Sequence, residues 1–423
     1  MSQQVSTKTA LVLAGGGLTG AVYEIGALRA IDDLLVDRTV NDFDIYVGTS
    51  AGSLVSAFLA NGMRPHEMME VVAGEGANGS LMSRNHIFNL NRSEIVKSLL
   101  RLPLKAAGVG LHYLRHLDEI TLLDLLWSLT GMLPEGLYDS LALERFVRRQ
   151  MELLGYSNRF TDVPSNLHII ATDLDTGERV VFDARSNSHV PVSLAVAASS
   201  ALPVVFKPVR IGNRAYVDGG LRGTASLDLA IEQGANLVIC INSLVPYHNL
   251  RQEAAGQSLD QSQISSRGFQ AIANQALRIM TQSGLYYHIK QLRRLHPHVD
   301  IILIEPRPDD FHMFSYNIMT YSARLVVARH GFESVTLDLA KDYPIYKQIL
   351  ARHGIPISRR LVIQELNQIA ESGYDSKVLQ KVLSARSAGC GESRDTPVCR
   401  LDRALAELEL ALDGWNSARQ PEM

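Results

Sequence analysis

The run Gly48-Thr49-Ser50-Ala51-Gly52 sets a serine between two glycines, after the apolar stretch 45–47 and before the helical stretch 53–60. A Gly-x-Ser-x-Gly turn from strand to helix holds its serine in a strained backbone conformation and lifts the hydroxyl clear of the sheet, near free backbone N–H groups. That is the geometry of a nucleophile. A second glycine turn, Gly15-Gly16-Gly17-Leu18-Thr19-Gly20, lies upstream and also joins an apolar run to a helical one. Its Gly15-x-Gly17-x-x-Gly20 spacing fits a dinucleotide-binding loop, and a tight turn without chemistry would fit as well. The following strand separates these readings. A dinucleotide site calls for an acidic residue at the end of that strand, whereas stretch 43–47 ends in Gly48-Thr49-Ser50. Amides at a helix start that can cradle a pyrophosphate can equally hold the oxyanion of an acyl-transfer intermediate.

A serine hydroxyl needs a base, most often a histidine oriented by a carboxylate. None of the thirteen histidines stands out. His168 lies inside a predicted strand; His112, His116, His296 and His298 sit beside basic or turn residues; His189, His248, His288 and His312 stay open. An α/β-hydrolase would also place its nucleophile after several strands rather than at position 50. A carboxylate acting directly is the other option, and Asp218 in Tyr216-Val217-Asp218-Gly219-Gly220 is the best placed. It ends a short extended run, 214–217, and the glycines behind it let the backbone turn without obstructing a neighbouring loop. Asp-Gly is also a common hairpin turn, so without Ser50 the segment would read as a hairpin end. An exposed aspartate, with a pKa of about 3.9, is a poor base for a serine. Pairing Asp218 with Ser50 therefore requires a partly buried site, where desolvation raises basicity.

These residues need a scaffold. Predicted strands at 10–13, 43–47, 167–171, 179–182, 237–241 and 299–304 are short and β-branched, several of them continuously apolar, as in strands covered on both faces. The pattern predicts a layered α/β domain around a mostly parallel sheet. Long helices at about 265–295 and 313–339 would cover the last strand. Past residue 341 the strand signals stop, and helical periodicity at 378–383 and 401–412, interrupted by a polar loop at 387–398, predicts a helical extension. The boundaries expected are 8–340 for the main domain and 341–423 for the extension.

Composition narrows the class. With 46% hydrophobic residues in 423 the chain can bury a large core, and a net charge of −3 supplies no overall pull toward nucleic acid. The three cysteines, Cys240, Cys390 and Cys399, show no metal-ligand spacing, which reads as a reduced, cytoplasmic protein without a metal. No apolar run is long enough to span a bilayer. The segment 95–117 carries Lys97, Arg101, Lys105 and Arg115 among leucines and no acidic residue, as suits a membrane surface, although Pro103, Gly108 and Gly110 break any single helix there. Residues 95–130 are accordingly expected to form a lid or docking insertion, with peripheral attachment to a lipid surface. Nothing in the sequence fixes an oligomeric state.

With the glycine loop, the serine elbow and the aspartate in that order, the chain resembles the patatin-like phospholipases from about residue 9 to 339. Supporting stretches are Ala171-Thr172-Asp173-Leu174-Asp175-Thr176-Gly177 and Ala198-Ser199-Ser200-Ala201-Leu202-Pro203, with Phe206 and Pro208. The resemblance implies a three-layer α/β/α sandwich and a Ser50–Asp218 dyad. It also implies an oxyanion hole from Gly15, Gly16 and Gly17 with Leu18 as a further donor, and motif glycines Gly20, Gly48, Gly52, Gly219 and Gly220. Two departures stand out: Thr19 occupies a position where the family commonly has arginine, and Thr224 and Ser226 follow the Asp-Gly pair where asparagine and proline are frequent. The implied activity is cofactor-free hydrolysis of a lipid ester, phospholipid or lysophospholipid, through an acyl-enzyme. The competing readings are a catalytically weak lipid- or protein-binding scaffold on the same fold, and a dinucleotide enzyme.

Overall fold

The computed structural model describes residues 7–74, 84–91, 134–248 and 264–373, with Val378 and Val382. Its strands are β1 (Lys8–Leu13), β2 (Ile45–Thr49), β3 (Gly136–Tyr138), β4 (Asn166–Asp173), β5 (Arg179–Phe182), β6 (Val204–Phe206), β7 (Val209–Ile211), β8 (Arg214–Asp218), β9 (Ala235–Ile241) and β10 (Asp300–Ile304). The helices are α1 (Gly17–Leu34), α2 (Ala51–Ala60), α3 (Pro65–Ala73), α4 (Arg84–Ile87), α5 (Leu141–Leu154), α6 (Val192–Ser199), α7 (Leu227–Glu232) and α8 (Phe269–Leu295). Four more follow: α9 (Phe311–Ser315), α10 (Arg324–Lys341), α11 (Tyr343–Arg352) and α12 (Arg360–Glu371).

The main sheet runs β10-β9-β1-β2-β4-β8-β7, with β5 also on β4. From β10 to β4 every pairing is parallel; β5 and β8 meet β4 antiparallel, and β7 meets β8 antiparallel. The apolar runs of the central strands follow from coverage on both sides. Leu11 and Leu13 of β1 share a core with α1, α2 and α10, while Ala10 and Val12 share the other with α7 and α8. This is the expected three-layer α/β arrangement.

Helix α1 is buried along its length from Leu18 to Leu34. Against it lies α10, brought close by glycines: a Cβ on Gly26 would come within 2.0 Å of the Ala328 carbonyl oxygen, and one on Gly331 within 2.5 Å of that of Tyr23. The expected helix 313–339 is therefore corrected in two ways. It is broken into α9, a short turn at Tyr321–Ala323 and α10, and α10 packs against α1 rather than serving chiefly as a cover for β10. The break brings the Ile318 carbonyl to the Thr19 N–H, at 3.1 Å, which a continuous helix would have kept for itself. Strands β3, β6 and β7, each of three residues, were too short to leave a periodic signal.

After residue 341 the described residues contain α11 and α12. Tyr343, Leu350, Ile355, Ile357, Ile369 and Val382 join the same core as α1, and Leu35 forms a β-bridge with Ile357. The segment 95–130, the loop 387–398 with Cys390, Cys399 after it, and the helical run 401–412 lie outside the described residues. Cys240 is a buried free thiol.

Replacing Gly26 by alanine gains up to about 1 kcal/mol of helix propensity but drives a methyl group into the Ala328 carbonyl. Overpacking of this kind costs about 1–3 kcal/mol. Gly26→Ala is thus expected to lower the urea midpoint, and a raised midpoint would show that α1 and α10 are not so tightly apposed.

Candidate active site

Strand β4 has two edges, and β5 takes one of them along Ile169–Thr172. Strands β2 and β8 must share the other. Strand β2 runs along it as far as Thr49 opposite Ile170, and β8, arriving antiparallel, ends with Asp218 opposite Ala171. The residue after Thr49 is Ser50, so the register sets the serine beside the aspartate. Gly219 is the crossing point: a Cβ there would lie 2.3 Å from the Ile170 carbonyl oxygen.

Ser50 is the residue preceding α2, with φ +53° and ψ −120°, a backbone region that side chains rarely adopt. The flanking glycines allow it. A Cβ on Gly52 would sit 2.2 Å from the Leu13 carbonyl oxygen, and one on Gly48 would meet the backbone of Gly52 and Ser53. Ser50 Oγ donates to Asp218 Oδ2 at 2.5 Å, and Asp218 Oδ1 accepts the Gly220 N–H at 2.8 Å. The Asp218 backbone is anchored too: its N–H donates to the Ala201 carbonyl at 3.0 Å, and its carbonyl accepts Thr172 Oγ1 at 3.1 Å. Asp218 is 5% exposed, and burial pushes its carboxyl up to about 6 against the lowering effect of its two hydrogen bonds. The partly buried carboxylate required by the sequence is present.

The pair Ser199-Ser200 at the end of α6 is more than a family marker. Ser199 Oγ accepts the Ser50 N–H at 2.8 Å while donating to the Ile170 carbonyl at 2.5 Å, and Ser200 Oγ donates to the Ser50 carbonyl at 3.1 Å. These two hydroxyls grip the elbow on both sides. The sequence carried the signal, two polar residues inside an otherwise small apolar run, but not the reason for it.

The glycine loop stands over the same point. A Cβ on Gly15 would be 3.3 Å from Ser50 Cβ. The Gly15 N–H, however, donates to the Thr224 carbonyl at 2.9 Å, so Gly15 lines the site without a free donor, which corrects its expected part in the oxyanion hole. The N–H groups of Gly16, Gly17 and Leu18, at the start of α1, take no partner among the described residues and point from the positive end of that helix. Gly20 packs against Ser243 Oγ. Thr19 is buried and holds Ile318 through its backbone, and Thr224 acts through its carbonyl, so that bond does not depend on side-chain type.

Above Ser50 and Asp218 a cavity is lined by Leu18, Leu54, Leu143, Leu202, Phe206 and Met319, with Gly15–Gly17 at its edge. No histidine is among the described residues lining it. His168 instead bonds Asp183 at 3.0 Å beside Lys8 and Asp44, at the N-terminal ends of the strands, remote from the elbow. His288 lies 3.5 Å from Asp228 in a neighbouring groove.

Residues 11–231, which include the glycine loop, Ser50 and Asp218, match the family model of patatin-like phospholipases. The chain belongs to the patatin-like phospholipase family. Among curated relatives it is 22% identical over 228 residues to the "Probable lipid hydrolase 463L" of Invertebrate iridescent virus 6, covering 52% of this chain and 63% of the relative. It is 27% identical over 224 residues to the "Uncharacterized protein YqhO" of Bacillus subtilis (strain 168), covering 50% and 62%. The chain thus spans less than two thirds of the length of either relative. Among solved structures it overlaps VipD from Legionella pneumophila at a TM-score of 0.35 and 13% identity, covering 97% of this chain and 76% of that one. The type III effector ExoU overlaps at 0.31 and 13%, covering 99% and 67%.

A buried carboxyl with its pKa raised in the folded state contributes stability that is fully present below about pH 4 and is lost as pH rises through about 6. Asp218→Asn, which can still satisfy Ser50 and Gly220, avoids that loss. The variant is expected to gain stability over the parent, on the order of 1–3 kcal/mol, between pH 5 and pH 8 in paired urea titrations. A difference that does not change with pH would mean that the Asp218 pKa is not raised.

Proposed function

We propose that this patatin-family protein is a serine acyl hydrolase that cleaves carboxylic ester bonds of lipids, phospholipid or lysophospholipid, through an acyl-enzyme on Ser50. The observation that carries this reading is the 2.5 Å bond from Ser50 Oγ to the buried Asp218, made on the floor of an apolar cavity. Asp218 takes the Ser50 proton as the oxygen attacks the ester carbonyl. The charge developing on the carbonyl oxygen meets the N–H groups of Gly16, Gly17 and Leu18, which cost no reorganisation because the helix already presents them. Collapse of the tetrahedral intermediate expels the alcohol, which receives the proton from Asp218 and leaves an acyl-serine. The aspartate then accepts a proton from water, the resulting attack frees the fatty acid, and the proton returns to Ser50. No cofactor enters this scheme.

The family and the relative named a probable lipid hydrolase support a lipid as the substrate. The cavity rim does so independently: Leu221 is 57% and Met280 74% exposed beside it. Helix α8, which supplies Leu277 and Thr281 to the lining, has no acidic residue in its 27 and ends in Arg293 and Arg294. Such a rim suits peripheral contact with a lipid surface. No described helix is long and apolar enough to cross a membrane. We assign this activity to residues 8–340.

Ser50→Ala is expected to abolish both fluorophosphonate labelling and ester turnover while leaving cooperative unfolding intact. For the parent protein, kcat/KM should fall about tenfold per pH unit below about 6, as Asp218 becomes protonated. Undiminished turnover by Ser50→Ala would exclude the mechanism.

A further inference from the structure

A second cavity adjoins the one over Ser50, bounded by α1, α2, α3 and α5. Val22, Val55, Phe58, Met68, Val72 and Phe146 line it, and Leu18, Ala21 and Leu54 line both cavities, so the two meet along that edge. Apart from Gln150, the described residues that line it are apolar. Its volume of about 60 Å³ is several times the roughly 10–15 Å³ that one water needs. An apolar recess of this size, left unfilled, forfeits packing along its walls. Met63 and Met68 are unbranched and can rearrange around an occupant. Helix α2 leads from the nucleophile into this recess: Phe58 stands eight positions after Ser50, about 12 Å of helix.

The opposite flank of the catalytic cavity has another character. There a groove shares Leu221, Thr224, Leu277 and Thr281 with it and is lined by Arg222, His288 and the Arg179–Asp228 ion pair, whose shorter contact is 2.7 Å. Ser50 therefore stands between an apolar recess and a groove of mixed character that carries charged side chains. An ester amphiphile has the same order of parts: hydrocarbon chain, carbonyl, polar head. We propose that the recess between α1, α2, α3 and α5 receives the acyl chain of the substrate, and that Val55, Met68, Val71 and Val72 set the chain length accepted. The proposal rests on the acyl-hydrolase reading and adds to it the direction in which the substrate lies.

The test is to narrow the recess without touching the reacting groups. Val55→Phe and, as a milder change at a half-buried position, Val71→Trp are compared with the parent on p-nitrophenyl butyrate, octanoate and laurate. In the parent, each methylene that enters the recess should raise kcat/KM about fourfold until it is filled. The variants should keep butyrate turnover within about twofold and lose at least about tenfold on laurate, equivalent to two buried methylenes. An unchanged chain-length profile, or equal losses on all three esters in a variant that unfolds cooperatively, would overturn the proposal. A second readout does not need turnover: laurate should raise the melting temperature of the parent and of Ser50→Ala, and not that of Val55→Phe or Val71→Trp. If the parent cleaves no ester yet shows this binding pattern, the hydrolase reading falls and the acyl recess stands. Laurate protection equal in all four proteins would remove the recess.

Discussion

The site depends on one edge of β4 being divided between two strands. Strand β2 runs parallel along it to Ile170 and β8 comes in antiparallel to Ala171, so residues separated by 168 positions in the chain are brought to adjacent places by backbone hydrogen bonding. Register in a sheet is quantised, and a slip by one residue would turn the Asp218 side chain to the other face. The approach of Ser50 to Asp218 is thereby fixed by the ladder rather than by side-chain flexibility. Ser199 strengthens the junction, since one hydroxyl touches both the Ile170 carbonyl and the Ser50 amide.

Burial then does the chemical tuning. Asp218 sits beneath an apolar cavity with two hydrogen bonds, one from Ser50 and one from Gly220, and desolvation outweighs both. The arrangement disfavours the charged carboxylate in the resting protein, as the proposed role of Asp218 as base requires. The strained φ of Ser50 belongs to the same economy of the fold: local conformations that cost free energy are held by a sheet and by a helix, α1, buried almost throughout.

Much of this was legible in the residue order. The apolar central strands announced a covered parallel sheet, and two glycine turns at strand-to-helix junctions marked Ser50 and the start of α1. Asp218 was legible only in combination, because an Asp-Gly pair alone reads as a hairpin end. The features that escaped are those that sequence-local patterns do not carry. Strands of three residues have no period, so β3, β6 and β7 were missed. The division of the β4 edge is a non-local pairing. The occupied Gly15 amide depends on a carbonyl 209 residues downstream, that of Thr224. Continuous helical periodicity through 313–339 masked a break whose cause is likewise tertiary, the contact between Ile318 and Thr19.

The Gly15–Thr224 hydrogen bond couples two loops that would otherwise be independent. One carries the amides of Gly16, Gly17 and Leu18, and the other continues from Asp218. Because they are tied across the mouth, a displacement of either is transmitted to its neighbour, and in the proposed mechanism charge stabilisation and proton transfer would rise or fall together. Any change at the mouth of the site would have to adjust both loops in concert, which makes the short stretch between Asp218 and α7 a natural point of control over the site as a whole.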